Sequence, residues 1–240
     1  MTDTPVDVPA GPRPPQVSVI YQLPSAADAR ELRAAAFREG ALPRDLIEHI
    51  AFSGHRGSCT VSALRPEGNA FLEMAPDLGL WLAARLGGFV PMQVSERAVG
   101  VRQGDRHNFT LGPVPLLKSG RGDWQRQGQD PAWIRQRILG RLMSDLSLYR
   151  AQWSDDPSPM PEPELVSVGR VMPIKVPLAG GGRELTWLTA VGVRLLWSVD
   201  LEGHWFIGAM ASAGFGRLWY TPPAVPDGLM SVAEQMEALA

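Results

Sequence analysis

Lysine and cysteine are almost absent from this sequence. Of its 240 residues 23 are basic, yet only Lys118 and Lys175 are lysines and the other 21 are arginines. Arginine favours planar, bidentate contacts with carboxylates and phosphates over point-charge contacts. A single cysteine, Cys59, excludes an intramolecular disulfide and a zinc site built on cysteines, which fits a reducing cytoplasm.

Long apolar runs and an excess charge of either sign are missing as well. No apolar stretch approaches the ~18 residues of a membrane-spanning helix, and the polar, proline-bearing start is unlike a signal peptide. We therefore expect a cytoplasmic protein without a membrane partner. The net charge of −2 provides no global field for a polyanion, so a nucleic-acid site would have to be a local arginine cluster.

The N-terminal part has the order of elements of a ferredoxin-like domain over residues 16–96. Residues 1–15 contain five prolines and are predicted to be a flexible tail. Alternating apolar residues then predict a strand at 17–22, and Ser25 with Asp28 resembles a capping box that opens a helix. A strand at 59–64 with a hairpin partner at 70–74, a helix at 77–86 and a strand at 89–94 complete the predicted order.

The rest of the chain is predicted to combine loops, one long helix and a β-rich end. Residues 97–129 are rich in Arg, Gly and Gln and predict long surface loops, which with a helix starting at Pro131 form a basic element over 97–152. An acidic, proline-rich linker is predicted at 153–163, β structure at 164–225 and a tail at 226–240. The predicted fold class is α+β.

The most specific feature is the glycine-rich segment from Gly203 to Tyr220. Its glycines lie between two predicted strands, where they permit positive φ and let backbone amides face a bound anion. The pattern Gly208-x5-Gly214-Phe215-Gly216 followed by an apolar strand resembles the glycine-rich loop of the repeat-associated (RAMP) superfamily of CRISPR proteins. Within it, the short length, the arginine bias and the basic helix are most similar to the processing nuclease of type IV CRISPR systems.

The resemblance implies a substrate and a mechanism. Such enzymes bind the stem-loop of a CRISPR repeat transcript and cleave it without metal or cofactor, through attack of a ribose 2′-OH on the adjacent phosphate. They remain on the hairpin and work with other subunits of a CRISPR ribonucleoprotein. RNA-binding roles are expected for Gly208, Gly214 and Gly216, and Arg217 is expected near the scissile phosphate.

The first helix carries a second candidate surface. Arg30, Arg33 and Arg38 are predicted to lie opposite its alanine-rich face with Phe37 among them, where guanidinium groups can hold phosphates and an aromatic ring can stack a base. The alternative is a solvated helix face with Phe37 tucked beneath the next segment.

The helix that starts at Pro131 carries a third candidate surface. Arg137 and Arg141 are four residues apart on one flank, opposite an Ile/Leu stripe, and could contact an RNA stem together with basic residues of the preceding loop. Those loop residues are Lys118, Arg121 and Arg126. The alternative is an amphipathic core helix whose arginines meet water.

The catalytic base is predicted to be His55, which stands in a glycine-flanked loop beside Arg56 as a phosphate contact. His49 is expected to be structural, while His107 and His204 stand in a basic loop and at the start of the glycine-rich hairpin. The type IV resemblance implies instead that arginines carry catalysis, which would assign it to Arg38 and Arg217.

Two other functions remain open. The chain could be a non-catalytic subunit that binds the guide-RNA handle in a CRISPR effector complex, or a structural protein in which the glycine loop is only a turn. No phosphate-binding P-loop, zinc-protease motif or serine-hydrolase elbow occurs in the sequence.

Overall fold

A computed structural model describes residues 14–55, 57–119, 124–153, 159–177, 184–208 and 210–221, except for the side chain of His55. The first six elements are β1 (Gln16–Gln22), α1 (Ala29–Arg38), β2 (Ile50–His55), β3 (Ser58–Ala63), α2 (Ala75–Leu86) and β4 (Met92–Arg97). Their four strands form an antiparallel sheet in the order β2-β3-β1-β4. Both the element order and the sheet order are those of a ferredoxin-like domain, which confirms the predicted fold class.

The two faces of this N-terminal sheet differ in chemistry because side chains alternate along each strand. Val17, Val19 and Tyr21 of β1 are buried, and the hydroxyl of Tyr21 donates to the carbonyl of Ala75 at the start of α2. The opposite face carries small polar residues, and these too are buried: Gln16, Ser18, Ser53, Thr60 and Ser62. A buried polar face requires hydrogen-bond partners from the rest of the chain.

Several predicted details of this domain are wrong. Helix α1 begins at Ala29 with Asp28 as its N-cap, because the Asp28 carboxylate accepts from the amide of Arg30. Residues 70–74 do not form a hairpin strand but belong to a 3₁₀ helix, Pro66–Met74, and β3 pairs with β2 instead. The buried Gly68 in this helix packs against the carbonyl of His49 so closely that a Cβ would lie 2.2 Å from that oxygen.

The second half of the chain contains two further antiparallel sheets and the long helix. Its elements are β5 (Gly100–Leu111), β6 (Val114–Lys118), α3 (Trp124–Gln127), α4 (Pro131–Trp153), β7 (Glu164–Ser167), β8 (Arg170–Pro177), β9 (Glu184–Val191), β10 (Val193–Glu202), β11 (Trp205–Phe206) and β12 (Arg217–Tyr220). The sheet orders are β11-β12-β5-β10-β7 and β6-β9-β8. One contiguous hydrophobic core includes residues of both halves, and no helix in the described ranges is long and apolar enough to span a bilayer.

The expectation of long surface loops over 97–129 is wrong, since β5 and β6 occupy most of this range. Strand β5 is polar in sequence, but it pairs along nearly its full length with the apolar strand β10, from Val193 opposite Leu111 to Glu202 opposite Gly100. Backbone pairing with an apolar neighbour thus overrides the low strand propensity of the Arg- and Gln-rich sequence.

The glycine-rich segment between β11 and β12 is folded tightly onto the protein. Gly214 and Gly216 have φ values of 78° and 64°, and a Cβ at these positions would lie 2.0 Å from the carbonyl oxygen of Phe52 and 1.7 Å from that of Ile207. The amide of Gly216 donates to the carbonyl of Pro113, and that of Phe215 to Met210. The glycines therefore permit close backbone packing, and these two amides donate within the protein and not toward solvent.

We predict that Gly216→Ala lowers the free energy of unfolding by at least ~2 kcal/mol, because the new methyl group meets a backbone carbonyl at a left-handed φ. Gly140→Ala is the matched control, since Gly140 is exposed on α4 with no atom near the position of its missing Cβ. It should stabilise the protein by about 1 kcal/mol. Urea denaturation measures both, and equal effects of the two variants would contradict the packing role of Gly216.

Candidate nucleic-acid interface

A polar cluster joins the glycine-rich segment to the polar face of the N-terminal sheet. Arg217, the first residue of β12, donates from Nη1 to the hydroxyl of Ser53 on β2 at 2.9 Å, and its Nη2 lies 3.4 Å from Nδ1 of His204. The same imidazole nitrogen lies 3.3 Å from the hydroxyl of Ser62, which accepts from Ser18 at 2.9 Å. Strands of both halves therefore contribute to one hydrogen-bonded network.

The backbone of His204 is held on both sides. Its amide donates to Oε1 of Gln16 at 2.7 Å, and its carbonyl accepts from the hydroxyl of Tyr149 at 2.7 Å. The side-chain amide of Gln16 also donates to the carbonyl of Ala63 at 2.7 Å and to the Tyr149 oxygen at 2.6 Å. Because Gln16 is only 1% exposed, these contacts are shielded from water and fix His204 firmly.

His204 is a neutral imidazole at pH 7. Burial, together with the positive charges of Arg217 and Arg97, lowers its pKa from 6.5 to about 4. A guanidinium can only donate, so we assign Nδ1 as an acceptor and the ring proton to Nε2. Burial also lowers the pKa of Arg217. A guanidinium nevertheless stays protonated in proteins at neutral pH.

A cavity of about 400 Å³ opens beside this cluster. Its wall includes Arg97 at the end of β4, Arg217, His204, Asp200 and Tyr220. Two guanidinium groups beside a neutral imidazole match the needs of a bound phosphate: fixed positive charge, donors in a planar fork, and a group able to take up a proton. Among the described residues, no three His, Cys, Asp or Glu side chains form a group that could hold a metal ion.

The first helix does not present the surface that its sequence predicts. Phe37 is 2% exposed and packs against Phe52 with ring centroids 6.5 Å apart, so its expected place on a solvent face is wrong. Arg33 is buried as well and donates to the carbonyl of Ile47 and the hydroxyl of Ser212. The physical reason is that β2 covers Phe37, while the 3₁₀ helix Arg44–Glu48 and the glycine-rich segment supply the partners of Arg33.

The other two arginines of α1 are more accessible. Arg30 is half-buried, forms an ion pair with Asp28 at 2.5 Å, and lies over the ring of Phe215 at 5.6 Å. Arg38 is exposed at the end of the helix and lines a surface groove with Asp77 and Trp81, away from the residues that line the cavity at Arg217. The catalytic role of Arg38 and the RNA contact of Arg30 stay predictions.

Arg137 and Arg141 of α4 both bond to the protein, although Arg137 is exposed and Arg141 is half-buried. Arg137 donates to the carbonyl of Leu116 at 3.1 Å, and Arg141 to that of Pro115 at 3.2 Å, which ties the helix to β6. Lys118 ends β6, and Arg126 is exposed on α3. Their contact with an RNA stem stays a prediction.

Three predicted residues fall wholly or partly outside the described residues, namely the side chain of His55, Arg56 and Arg121. The backbone of His55 ends β2, so this histidine lies on a strand and not in a loop. Gly208, Gly214 and Gly216 all have positive φ, as the sequence predicts, but their role in RNA binding stays a prediction.

Sequence reasoning missed the environment of His204. The residues that surround it are Gln16, Ser53, Ser62 and Tyr149, which come from four separate elements. A signal was present, because β3 carries polar residues at every second position and β1 does so except at Ile20, in strands that are otherwise apolar. Such a pattern indicates a polar strand face, but whether that face meets water or protein depends on the tertiary fold.

Comparison with known proteins identifies the fold. The sequence matches no family model and no curated protein. Among solved structures, the fold is similar to Csf5, a CRISPR-Cas type IV Cas6 crRNA endonuclease, with a TM-score of 0.61 and 17% identity over 86% of this chain and 99% of that one. It is also similar to Cas6b, with a TM-score of 0.58 and 11% identity over 86% and 98% of the two chains. The resemblance drawn from the sequence is thus confirmed at the level of the fold.

We predict that His204 makes the protein less stable in mild acid. Its pKa of about 4 in the folded state lies below 6.5, so the unfolded chain binds the proton first and stability falls between pH 6.5 and 4. His204→Gln removes this contribution, and the difference between the two urea midpoints should therefore vary across this pH window and be constant above it. An imidazole titration by NMR with a pKa near 6.5 would contradict the assignment.

Proposed function

We propose that this protein is an endoribonuclease that binds the stem-loop of a CRISPR repeat transcript and cleaves it to release guide RNA. The proposal is supported above all by the cluster of Arg217, His204 and Arg97 around one cavity, in a chain whose fold is shared with CRISPR RNA endonucleases. After cleavage the protein stays on the hairpin and joins other subunits of a CRISPR ribonucleoprotein.

The proposed reaction is a metal-independent transfer of the phosphorus from one ribose oxygen to another. The 2′-oxygen loses its proton to a base and attacks the adjacent phosphorus, while the bond from phosphorus to the 5′-oxygen breaks and that oxygen takes up a proton. The products are a 2′,3′-cyclic phosphate and a 5′-hydroxyl. Arg217 and Arg97 would stabilise the extra negative charge on the phosphate oxygens during this step.

We assign the base to His204, because its Nδ1 lies next to the guanidinium that would hold the phosphate. When Arg217 turns toward the phosphate, Nδ1 keeps only the hydroxyl of Ser62 as a partner, and rotation of that hydroxyl would let Nδ1 accept the 2′-OH proton. The nearby negative charge raises the pKa of the imidazole from its low value. His55, the base predicted from the sequence, remains the alternative for this role.

The substrate strand and the stem would be held by arginines on other elements. Arg30 near Phe215 is the candidate for the substrate strand, and the stem is assigned to Arg137 and Arg141, with Lys118, Arg121 and Arg126. Phosphate contacts of this kind make binding weaken as the salt concentration rises.

We predict that the purified protein cuts CRISPR repeat RNA in the presence of EDTA, and that Arg217→Ala lowers the cleavage rate about 100-fold or more by removing a transition-state clamp. Arg194→Ala is the matched control, because Arg194 is an exposed arginine of β10 outside the cavity, and it should cleave at the wild-type rate. Cleavage is followed by gel electrophoresis with mapping of the product ends.

The other outcomes of this assay would indicate a different mechanism or a different function. Cutting that EDTA abolishes contradicts the metal-independent mechanism. Tight, salt-dependent RNA binding without cleavage identifies a guide-RNA-binding subunit instead of an enzyme. No affinity for RNA at low salt identifies a structural protein unrelated to nucleic acid.

A further inference from the structure

Two neighbouring aromatic residues are exposed at the end of β12. Trp219 and Tyr220 are 43% and 49% exposed, although large aromatic side chains usually bury most of their surface. Both line the same cavity as Arg217 and His204. The proposed cleavage reaction assigns no role to either residue.

The ring of Tyr220 is held in place by its neighbours. Tyr220 is opposite Phe109 in the pairing of β12 with β5, and the two rings meet edge to face with centroids 6.2 Å apart. His107, two residues before Phe109, also meets Tyr220 edge to face at 5.3 Å. Because these contacts use strand positions, the ring is positioned before any ligand arrives.

Charged groups of both signs line the cavity and belong to two sets of contacts. Arg217 lies against His204, whereas Asp200 accepts a hydrogen bond at 3.0 Å from Nε2 of His107, whose ring meets Tyr220. Asp200 would repel a phosphate, and the two arginines would attract it. A ligand with a phosphate at one end is therefore expected to place that phosphate at the arginines and its uncharged ring at Tyr220.

The size of the cavity limits what can enter. Its volume of about 400 Å³ falls near the lower end of the ~300–1,000 Å³ typical of pockets that hold one small molecule. One nucleotide fits such a space, but a base pair with both its backbones does not. Unpaired bases that leave the stack are the ones that aromatic side chains bind in RNA.

We infer that this cavity is a subsite for a single unpaired nucleotide, whose base stacks on Tyr220 beside the His107–Asp200 pair and whose phosphate lies at Arg217 and Arg97. The inference rests on the proposed function and deepens it, since the RNA must be single-stranded at the point where it enters the cavity. Tyr220 is then a specificity-determining residue, and Asp200 orients the nucleotide by repulsion and by fixing His107.

Binding to a hairpin RNA with a single-stranded extension tests this subsite. The probe carries 2′-fluoro groups in place of the 2′-hydroxyls, so it cannot be cleaved, and 2-aminopurine at one unpaired position at a time. Stacking on Tyr220 should quench the fluorescence of one position, and Tyr220→Ala should restore it and weaken binding roughly tenfold. Pairing the extension with a complementary strand should weaken wild-type binding by a similar factor.

Three variants make the result specific to the aromatic ring. Tyr220→Phe should bind as wild type, whereas Tyr220→Leu, which keeps apolar bulk for folding, should bind as weakly as Tyr220→Ala. Phe89→Ala is the matched control, because Phe89 is an aromatic residue 84% exposed outside the cavity, and it should bind as wild type. Thermal unfolding of each variant shows whether it is folded.

The subsite and the proposed function fail separately in these experiments. Wild-type binding by Tyr220→Leu, or equal binding of the paired and unpaired extensions, overturns the subsite even if the unmodified RNA is cleaved. If Tyr220→Leu loses binding and the wild-type protein does not cleave unmodified RNA, the subsite is upheld and the proposed nuclease is overturned.

Discussion

The buried side chain of Gln16 is the interaction on which the candidate site depends. It stands on the first strand of the N-terminal sheet and bonds to the backbone of His204 and to Tyr149, both in the second half of the chain. A buried amide without partners costs free energy, so the two halves must stay in this register for Gln16 to be satisfied. The same register places Arg217 against Ser53 and buries His204 away from water. Burial disfavours the charged imidazolium, so the imidazole is neutral. The protonation state of His204 at the cavity thus depends on the hydrogen bonds that Gln16 must form when the chain folds.

The sequence predicted the fold better than the site. Periodic apolar residues and the glycine pattern are local signals, and they were sufficient for the ferredoxin-like order and for the hairpin around residues 203–220. The polar strand β5 was missed, because it is paired with β10, whose partner residues lie 82 to 102 positions away in the sequence. Phe37 and Arg33 were expected on a solvent face, but Phe37 packs on Phe52 of β2 and Arg33 donates to Ser212 of the glycine-rich segment. Local periodicity cannot report such coverage. The His204 environment was missed for the same reason.

Several of the arginines form hydrogen bonds within the protein, which the composition alone does not show. Arg33, Arg137 and Arg141 each donate to a backbone carbonyl, a contact to which the wide, planar guanidinium is suited. Arg217 also bonds within the protein, but its partners are a hydroxyl and an imidazole that a phosphate can replace. Arg217 would therefore exchange two side-chain partners for a phosphate, whereas Arg137 and Arg141 would have to release or share a backbone carbonyl to hold an RNA stem.

The continuous core and the Gln16 contact also bear on how such a protein can change over time. A ferredoxin-like unit is often regarded as a module that can be duplicated, exchanged or fused. Here one polar face of that unit is sealed by the other half, so its removal would expose serine and glutamine side chains together with the apolar residues of the shared core. Insertions are expected to accumulate in the surface turns. The residues in contact between the two halves are expected to change together, because each depends on its partner in the other half.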